Sequence, residues 1–314
     1  MILLMHKTGI EDTQVLRLRQ QTGQEVVVCH RKDVTPEDLE RADVIITHQL
    51  TVEHLAQAAR LSWVHVLSAG IDHLPLSALA ERGLVLTNSS GIHAIPMAEQ
   101  ILGMMLMFTR RLHTDLRSQL RHEWLRGREG LGELYGQTLT IVGAGRIGQE
   151  VARKAKAFDM RVIGVKRRVE PLSWFDEVVA SARLDDVLPE SDFVLLLLPL
   201  TEDTHHLIGA RQLEKMKSSA ILLNFGRGDV VDESALIRAL AKGHIAGAAL
   251  DVFHTEPLPP DSPLWDLDNV LISPHKSGIS NRYYQRALDC FLRNFRARQA
   301  GRPMPNRVDI ARGY

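Results

Sequence analysis

The 314-residue sequence has little cysteine, with only Cys29 and Cys290. Two thiols are too few for a disulfide framework or a thiolate metal site, and such scarcity is typical of a reducing compartment. We therefore expect a cytoplasmic location. His205 and His206 are adjacent, but no histidine array has convincing ligand spacing, so the sequence predicts no metal site.

An excess of charge of either sign is also missing, because 38 Lys and Arg residues balance 38 Asp and Glu residues. This balance argues against a nucleic-acid or membrane-surface partner and favours a small-molecule partner. Long hydrophobic runs are absent too: the longest, at 101–108 and 193–200, fall far short of the roughly 20 residues of a membrane span. The first seven residues carry no basic leader and are expected to form a strand rather than a signal peptide.

The length is sufficient for two domains, each with its own core. In the first part of the chain, β-like runs alternate with helix-like segments, which predicts a parallel sheet covered by helices. The predicted strands are 2–5, 25–29, 43–47, 63–67 and 84–88, and the predicted helices are 36–41, 52–60 and 75–82.

The same alternation restarts near residue 138 with a glycine-rich start, and predicts a second doubly wound α/β domain. Its six predicted strands are 138–142, 160–165, 193–199, 220–225, 245–251 and 270–273. Two long helical segments, 94–111 and 279–300, are interpreted as the two crossings between the domains.

A Gly-x-Gly-x-x-Gly turn lies directly between an apolar β-run and an amphipathic helix. Gly143 allows the tight turn, Gly145 lets the backbone approach a pyrophosphate, and Gly148 lets the helix pack closely on its strand. The helix that follows, starting with Arg146 and Ile147, would present its N-terminus to the phosphates. The turn therefore predicts dinucleotide binding, against the alternative of an ordinary strand–helix turn.

Three isolated polar residues follow the later predicted strands: Arg227 in Asn-Phe-Gly-Arg-Gly-Asp, Glu256 in His-Thr-Glu-Pro, and His275 in Ser-Pro-His-Lys-Ser-Gly. Ligands of open α/β sheets bind at such strand ends. With the glycine turn, these segments occur in the order found in the D-isomer-specific 2-hydroxyacid dehydrogenase family. From Ser68 to Gly278 the chain resembles that family.

The resemblance implies a Rossmann coenzyme domain, 98–285, inserted into a flavodoxin-like substrate domain, 1–97 plus 286–314. It also implies a homodimer formed through the coenzyme domain. Trp124 falls where related enzymes carry a tryptophan on a dimer-forming arm, although packing alone explains this residue equally well.

The resemblance makes His275 the proton donor to the ketone oxygen of a 2-keto acid, an effect typically worth about 10²- to 10⁴-fold in rate. Glu256 would hydrogen-bond the imidazole and hold its orientation. Arg227 would clasp the substrate carboxylate and the adjacent carbonyl oxygen with paired donors. Its neighbours Gly226 and Gly228 are interpreted as leaving the guanidinium uncrowded.

Further site residues are implied by the same resemblance. The segment Ser-Ala-Gly-Ile-Asp-His, beginning at Ser68, resembles the family's substrate-carboxylate loop, in which the amides of Ala69 and Gly70 face the ligand. Asp251 matches the family residue that contacts the nicotinamide amide. Thr201 matches a position at the edge of the family's coenzyme site. Without the resemblance, the segment at Ser68 would be interpreted as a strand-to-helix turn, and Asp251 could equally be a turn or cap residue.

The end of the second predicted strand of the coenzyme domain departs from the pattern for NAD. Lys166, Arg167 and Arg168 stand where an acidic residue normally accepts hydrogen bonds from the ribose hydroxyls. Three cations suit a 2′-phosphate, so the sequence predicts NADPH over NADH. The alternative is a solvated basic strand end.

The leading hypothesis is an NADPH-preferring reductase that converts a small 2-keto acid, such as glyoxylate or hydroxypyruvate, to the D-2-hydroxy acid. A different class stays open, because the family also includes a transcriptional corepressor that senses dinucleotides with little turnover. The walls of the substrate pocket are expected to come from residues such as Leu50, Trp63, Trp124, Tyr283 and Tyr284.

Overall fold

A computed structural model of the protein describes residues 1–6, 9–71, 73–124, 126–127 and 130–310. The chain forms two compact units, Met1–Ile92 with Ser280–Tyr314, and His93–Ile279. These bounds lie a few residues from the domain limits expected from the sequence. Asp72 of the expected carboxylate loop and residues 311–314 of the expected substrate domain lie outside the described residues.

The regular elements of the two units mostly alternate between strands and helices. In chain order they are β1 (Ile2–His6), α1 (Asp12–Thr22), β2 (Val26–His30), α2 (Pro36–Arg41), β3 (Val44–Thr47), α3 (Val52–Gln57), β4 (Trp63–Val66), α4 (Leu76–Glu81), β5 (Val85–Thr87), α5 (Ala94–Thr109), α6 (Leu112–Leu120), β6 (Thr138–Val142), α7 (Arg146–Ala155), β7 (Arg161–Lys166), β8 (Glu177–Ala180), α8 (Leu184–Val187), β9 (Phe193–Leu196), α9 (Ala210–Lys215), β10 (Ile221–Asn224), α10 (Glu233–Ala241), β11 (Gly247–Leu250), β12 (Val270–Ile272) and α11 (Tyr283–Gln299). Short 3₁₀ helices lie at Arg31–Asp33, Lys156–Phe158, Ser181–Arg183, Leu188–Glu190, Gly228–Val230 and Pro263–Trp265.

The first unit is built on a parallel sheet of strand order β2-β1-β3-β4-β5. This is the flavodoxin-like order, in which the strand sequence reverses beside β1. Helix α11 returns to this unit and packs its aromatic side chains on the sheet: the ring of Phe291 stacks on Trp63 with centroids 4.8 Å apart.

Trp63 is fully buried in that core, and its indole N–H donates to Thr87 Oγ1 at 2.8 Å. Leu50 is also buried, at 3% exposure. The expectation that these two residues line a substrate pocket is therefore wrong. Large apolar residues are more often part of a core than of a pocket wall.

The second unit contains a parallel sheet of strand order β12-β11-β10-β9-β6-β7-β8. Counted from β6, this is the Rossmann order 3-2-1-4-5-6 with one further strand at the edge. The expectation of six strands was wrong because β8, the sequence Glu177-Val-Val-Ala, is short and only partly buried. The order reverses between β6 and β9, which creates a crevice at the carboxyl ends of these two strands.

Local sequence signals explain several helix starts. Thr35 caps α2, and Pro36 is the first residue of that helix. Thr51 caps α3 by accepting a hydrogen bond from the His54 N–H. Asp232 caps α10 by accepting a hydrogen bond from the Ala235 N–H at 2.9 Å. Among the described residues, no helix is both long and apolar enough to cross a bilayer.

Candidate active site

The glycine turn after β6 has the geometry that its sequence predicted. Gly143 has a φ of +102°, which favours glycine, and its N–H donates to the Val165 carbonyl at 3.0 Å. A Cβ added to Gly143 would lie 2.9 Å from the Leu197 carbonyl oxygen. The turn therefore lies at the switch point, packed against the chain that leaves β9.

The other two glycines differ from each other in what surrounds them. A Cβ on Gly148 would lie 2.9 Å from the Gly143 carbonyl oxygen, so this residue allows α7 to pack on the turn. A Cβ on Gly145 would meet no atom within 4 Å. Open space at Gly145, directly before the exposed Arg146 and half-buried Ile147 at the start of α7, fits the approach of a pyrophosphate to the helix N-terminus.

One acidic residue lies close to the basic end of β7. The Lys166 ammonium pairs with the Glu170 carboxylate, and this hydrogen bond lowers the pKa of Glu170. Glu170 was not predicted as a site residue, because it lies four residues beyond the strand. Arg167 and Arg168 are exposed beside the pair. The positive charge at this strand end is therefore carried mainly by the two guanidinium groups.

His275 and Glu256 are in direct contact, as the resemblance implies. His275 Nδ1 lies 2.7 Å from Glu256 Oε2, and Glu256 Oε1 accepts a hydrogen bond from the Phe253 N–H at 3.0 Å. Both oxygens of the carboxylate are thus engaged, and the contact at Nδ1 leaves Nε2 as the nitrogen that can act on a substrate.

The backbone of His275 adopts a left-handed conformation, with a φ of +47°. This conformation is uncommon outside glycine and is maintained only where neighbouring contacts enforce it. The His275 N–H donates to the Asp251 carbonyl at 2.9 Å, which ties the turn after β12 to the end of β11.

The Asp251 side chain is buried, at 1% exposure, and is surrounded by donors from the turn after β12. Its Oδ1 accepts from the Ser273 hydroxyl and from the Lys276 N–H at 3.1 Å. Its Oδ2 accepts from the Ser277 hydroxyl and from the Ser277 N–H at 3.2 Å. Gln100 Nε2 in turn donates to Ser273 Oγ at 2.7 Å. These two serines and Gln100 were not predicted as site residues, although the segment Ser-Pro-His-Lys-Ser is a visible signal in the sequence.

Arg227 is exposed after β10, and its Nη1 donates to the Gly226 carbonyl at 2.9 Å. Asn224, the last residue of β10, holds this loop through two hydrogen bonds. Its Nδ2 donates to the Arg227 carbonyl at 3.0 Å, and its Oδ1 accepts from the Gly226 N–H at 3.2 Å. Asn224 is 1% exposed and is a further residue that sequence reasoning missed.

The glycines that flank Arg227 serve a different purpose from the one expected. A Cβ on Gly226 would lie 2.5 Å from the Leu198 carbonyl oxygen, and one on Gly228 would lie 2.0 Å from that of Phe253. The glycines therefore allow the loop to pack against neighbouring backbone rather than keeping the guanidinium uncrowded. This packing brings the Arg227 loop against the segment that carries Glu256.

The sheet order gathers these residues at one edge of the second unit. Arg227, Asp251 and His275 follow β10, β11 and β12, which are adjacent parallel strands. Thr201 follows β9, the next strand, and its N–H donates to Thr204 Oγ1 at 2.8 Å in an exposed turn.

The expected carboxylate loop follows β4 in the first unit. Ser68 Oγ donates to the Gly70 carbonyl and Asn88 Nδ2 to the Ala69 carbonyl, both at 2.8 Å. The N–H groups of Ala69 and Gly70 have no hydrogen-bond partner among the residues that the structure describes. The carbonyls of this loop are therefore hydrogen-bonded within the protein, whereas two backbone N–H donors remain for a ligand, as a carboxylate site requires.

One ion pair near the Glu256 segment has no counterpart in the sequence analysis. His254 Nδ1 contacts Asp229 Oδ1, and this contact raises the pKa of His254. The His254 N–H donates to Glu233 Oε2 at 3.0 Å. The pair is a second link between the Arg227 loop and the loop after β11.

Comparisons with known proteins agree with this geometry. Residues 102–277 match the family model described as D-isomer specific 2-hydroxyacid dehydrogenase, NAD binding domain. A glyoxylate reductase of Korarchaeum cryptofilum is 38% identical over 272 residues, covering 84% of this chain and 81% of the relative. A glyoxylate/hydroxypyruvate reductase B of Pectobacterium carotovorum is 40% identical over 261 residues, covering 82% of each.

Solved structures are similar over nearly the whole chain. A D-isomer-specific 2-hydroxyacid dehydrogenase family protein of Aeromonas salmonicida has a TM-score of 0.85 and 32% identity, with 98% of each chain covered. A D-isomer-specific 2-hydroxyacid dehydrogenase of Xanthobacter autotrophicus, solved with NADPH and MES, has a TM-score of 0.81 and 29% identity, covering 100% of this chain and 99% of that one. The chain therefore belongs to the D-isomer-specific 2-hydroxyacid dehydrogenase family.

Proposed function

We propose that the protein reduces a small 2-keto acid of the glyoxylate or hydroxypyruvate type to the D-2-hydroxy acid. The observation that carries the proposal is the His275–Glu256 pair, 2.7 Å apart, at the sheet edge that also carries the glycine turn. The names of the relatives from Korarchaeum and Pectobacterium support the same substrate class.

His275 acts as the proton donor in this proposal. Negative charge develops on the ketone oxygen during reduction, and a positioned imidazolium can neutralise it by transferring its proton. Glu256 holds Nδ1, so Nε2 is the donor atom. In the reverse direction the neutral imidazole accepts the hydroxyl proton, and Glu256 stabilises the positive charge that forms.

Arg227 is proposed to bind the substrate, because its guanidinium offers paired donors that match a carboxylate and the adjacent carbonyl oxygen. The N–H groups of Ala69 and Gly70, whose own carbonyls are already bonded, are proposed as further donors to the substrate carboxylate. A keto acid held at its carboxylate has its ketone oxygen fixed for proton transfer.

The coenzyme site is proposed at the glycine turn, Gly143–Gly148, with Thr201 at its edge. Open space at Gly145 and the N-terminus of α7 fit the pyrophosphate of a dinucleotide. When bound, the reduced nicotinamide supplies the hydride for the reaction.

We further propose that NADPH is preferred over NADH. Arg167 and Arg168 stand at the end of β7 without an acidic residue to accept the ribose hydroxyls, and the nearby Glu170 is engaged by Lys166. A charge-assisted bond to a 2′-phosphate contributes about 1.5–3 kcal/mol, which corresponds to roughly 10- to 150-fold in preference. Substituting Arg167→Asp should therefore reduce the ratio of kcat/KM for NADPH to that for NADH.

A panel of glyoxylate, hydroxypyruvate and pyruvate, assayed with both reduced coenzymes, tests the proposed function. We expect turnover of at least one of the first two acids, with the higher kcat/KM for NADPH. A kcat/KM that is higher with NADH would reject the coenzyme preference alone. Coenzyme binding without turnover of any keto acid would reject the reductase and support a dinucleotide-sensing regulator.

We also propose that the protein is a cytoplasmic homodimer formed through the second unit. Leu112, Leu116 and Leu120 recur every four residues along α6 and are 48%, 51% and 76% exposed. Trp124 follows them and is 85% exposed. A contiguous exposed apolar stripe is typical of an interaction surface. Size-exclusion chromatography with light scattering should give twice the monomer mass, and Leu116→Glu should shift the protein toward monomer.

A further inference from the structure

A cluster of three aromatic rings lies at the carboxyl edge of the first sheet. The imidazole of His48, the residue after β3, stacks on the ring of Tyr283 with centroids 5.9 Å apart. The ring of Tyr284 contacts His48 edge-on at 5.9 Å and Tyr283 edge-on at 5.4 Å. Both tyrosines begin α11, so the start of this helix and the end of β3 form one aromatic surface with polar groups.

Three hydrogen bonds hold the aromatic cluster against the proposed carboxylate loop. The Leu67 N–H donates to the Thr47 carbonyl, and the Tyr283 hydroxyl donates to the Leu67 carbonyl, both at 2.9 Å. His73 Nε2 donates to the His48 carbonyl at 2.6 Å. Leu67 precedes the loop and His73 ends it. The cluster therefore lies beside the two backbone N–H groups that are proposed to hold a substrate carboxylate.

The polar groups of the cluster differ in whether the protein already binds them. Burial, followed by the neighbouring Tyr284, raises the pKa of Tyr283 to about 12, so its hydroxyl remains the donor to Leu67. In contrast, the Tyr284 hydroxyl and the ring nitrogens of His48 have no hydrogen-bond partner among the residues that the structure describes. Both side chains are half-buried, and polar groups in such positions are normally satisfied by protein, water or a ligand.

The chemistry of these two groups indicates what they can bind. Burial lowers the pKa of His48, and the neighbouring His73 and His6 lower it further, which favours the neutral imidazole. A neutral imidazole offers one donor and one acceptor, and a tyrosine hydroxyl can also do both. This pair matches a ligand hydroxyl, which likewise donates and accepts. A second carboxylate would need a cation to offset its burial, and a methyl group would leave both polar groups unpaired.

We propose that His48 and Tyr284 are specificity-determining residues that bind a hydroxyl group on the side chain of the keto acid, so that hydroxypyruvate is selected over pyruvate. The proposal rests on the proposed function for the binding of the substrate carboxylate at Ala69 and Gly70. In hydroxypyruvate the hydroxymethyl group is attached directly to the ketone carbon, next to the carboxylate. A subsite for this hydroxyl must therefore adjoin the carboxylate loop, as the aromatic cluster does.

The kinetic test compares hydroxypyruvate with pyruvate, which has a hydrogen in place of the side-chain hydroxyl. We expect the kcat/KM of the wild type to be at least about tenfold higher for hydroxypyruvate. Tyr284→Phe removes one hydroxyl and keeps the ring, and His48→Phe removes both ring nitrogens and keeps a ring for stacking. Each variant should reduce the hydroxypyruvate-to-pyruvate ratio of kcat/KM by roughly 3- to 10-fold. Because the ratio is compared between proteins, the different intrinsic reactivities of the two ketones cancel.

His30→Asn is the matched control. His30 ends β2 at the same edge of the sheet, and its Nδ1 accepts from the Lys32 N–H at 3.2 Å, a bond that asparagine can replace. This variant should keep the wild-type ratio. Equal losses on both acids in Tyr284→Phe and His48→Phe would show that the cluster is merely structural and would overturn the proposal, as would an unchanged ratio. If one of these variants failed to fold, the other would give the same test.

Product binding tests the subsite without turnover. D-glycerate and D-lactate differ by the same hydroxyl, and with NADPH present neither can transfer a hydride. We expect calorimetry to give a Kd at least about threefold lower for D-glycerate, and Tyr284→Phe to remove most of this difference. A wild type that reduces no keto acid but still distinguishes the two products would reject the proposed function alone. Equal Kd values in the wild type would overturn the subsite whether or not the protein is active.

Discussion

Replacing Glu256 by glutamine removes the charge beside His275 while keeping the size of the side chain. In the wild-type protein Oε2 lies 2.7 Å from His275 Nδ1, and Oε1 accepts from the Phe253 N–H at 3.0 Å. The amide of the substituted side chain can satisfy one of these partners but cannot stabilise an imidazolium as a carboxylate does. Reduction, which needs the protonated imidazole, should therefore slow.

The magnitude follows from the contact and its exposure. A hydrogen bond to a charged group contributes about 1.5–3 kcal/mol, but the two side chains are 51% and 35% exposed, so solvent weakens their attraction. We take about 1–1.5 kcal/mol, which corresponds to a fall of roughly 5- to 13-fold in kcat/KM. Steady-state reduction of glyoxylate by the Glu256→Gln variant measures this quantity.

Glu233→Gln provides the matched control. Glu233, the first residue of α10, accepts a hydrogen bond at 3.0 Å from the N–H of His254, which precedes Glu256 on its loop. It should retain kcat/KM within about twofold, and both variants should retain coenzyme affinity. Wild-type kcat/KM in Glu256→Gln, or a loss that appears only in coenzyme binding, would refute the reasoning.

Three further predictions concern the turns of the second unit. In Gly145→Ala the added Cβ contacts no atom, so the free energy of unfolding should change by less than about 0.5 kcal/mol. The Kd for NADPH should rise roughly tenfold or more, because the methyl group occupies the space proposed for the pyrophosphate. Unchanged NADPH binding in calorimetry would contradict the coenzyme site. Gly228→Ala places a Cβ 2.0 Å from the Phe253 carbonyl oxygen and should lose about 1–3 kcal/mol in denaturant unfolding; wild-type stability would show that the loop can move at no cost. Asp229 raises the pKa of His254, so this contact stabilises the folded protein below the unfolded pKa of 6.5 and is lost as pH rises through the folded pKa. The Tm deficit of Asp229→Asn should accordingly shrink from about pH 5.5 to about pH 9, and a deficit that grew with pH would contradict this.

Much of the fold is predictable from the sequence because the strands of parallel sheets are continuous apolar runs. The strand Thr138–Val142 and the helix Pro36–Arg41 have the predicted bounds. Helix α1 was missed, since only Val15, Leu18 and Thr22 are buried in an otherwise polar segment. Strand β8 was missed because it is only four residues long and, as an edge strand, is only partly buried.

The site was predictable only where a residue's neighbours in sequence reveal its role. The glycine turn could be read locally, and Gly143 has the expected positive φ. The environment of Asp251 could not, because its donors come from the turn after β12, which lies beside it only in the folded sheet. The same holds for Gly228, where a side chain is excluded by the backbone of Phe253, a residue far away in sequence but adjacent in the fold.

The central claim is that His275 transfers a proton to a 2-keto acid. The most direct measurement compares wild-type protein with His275→Ala for the rate of NADPH oxidation with glyoxylate and hydroxypyruvate, alongside the Kd for NADPH. We predict measurable turnover by the wild type, a loss of about two to four orders of magnitude in kcat for the variant, and unchanged coenzyme affinity. Equal rates for the two proteins, or a wild type that binds NADPH and reduces neither acid, would contradict the account.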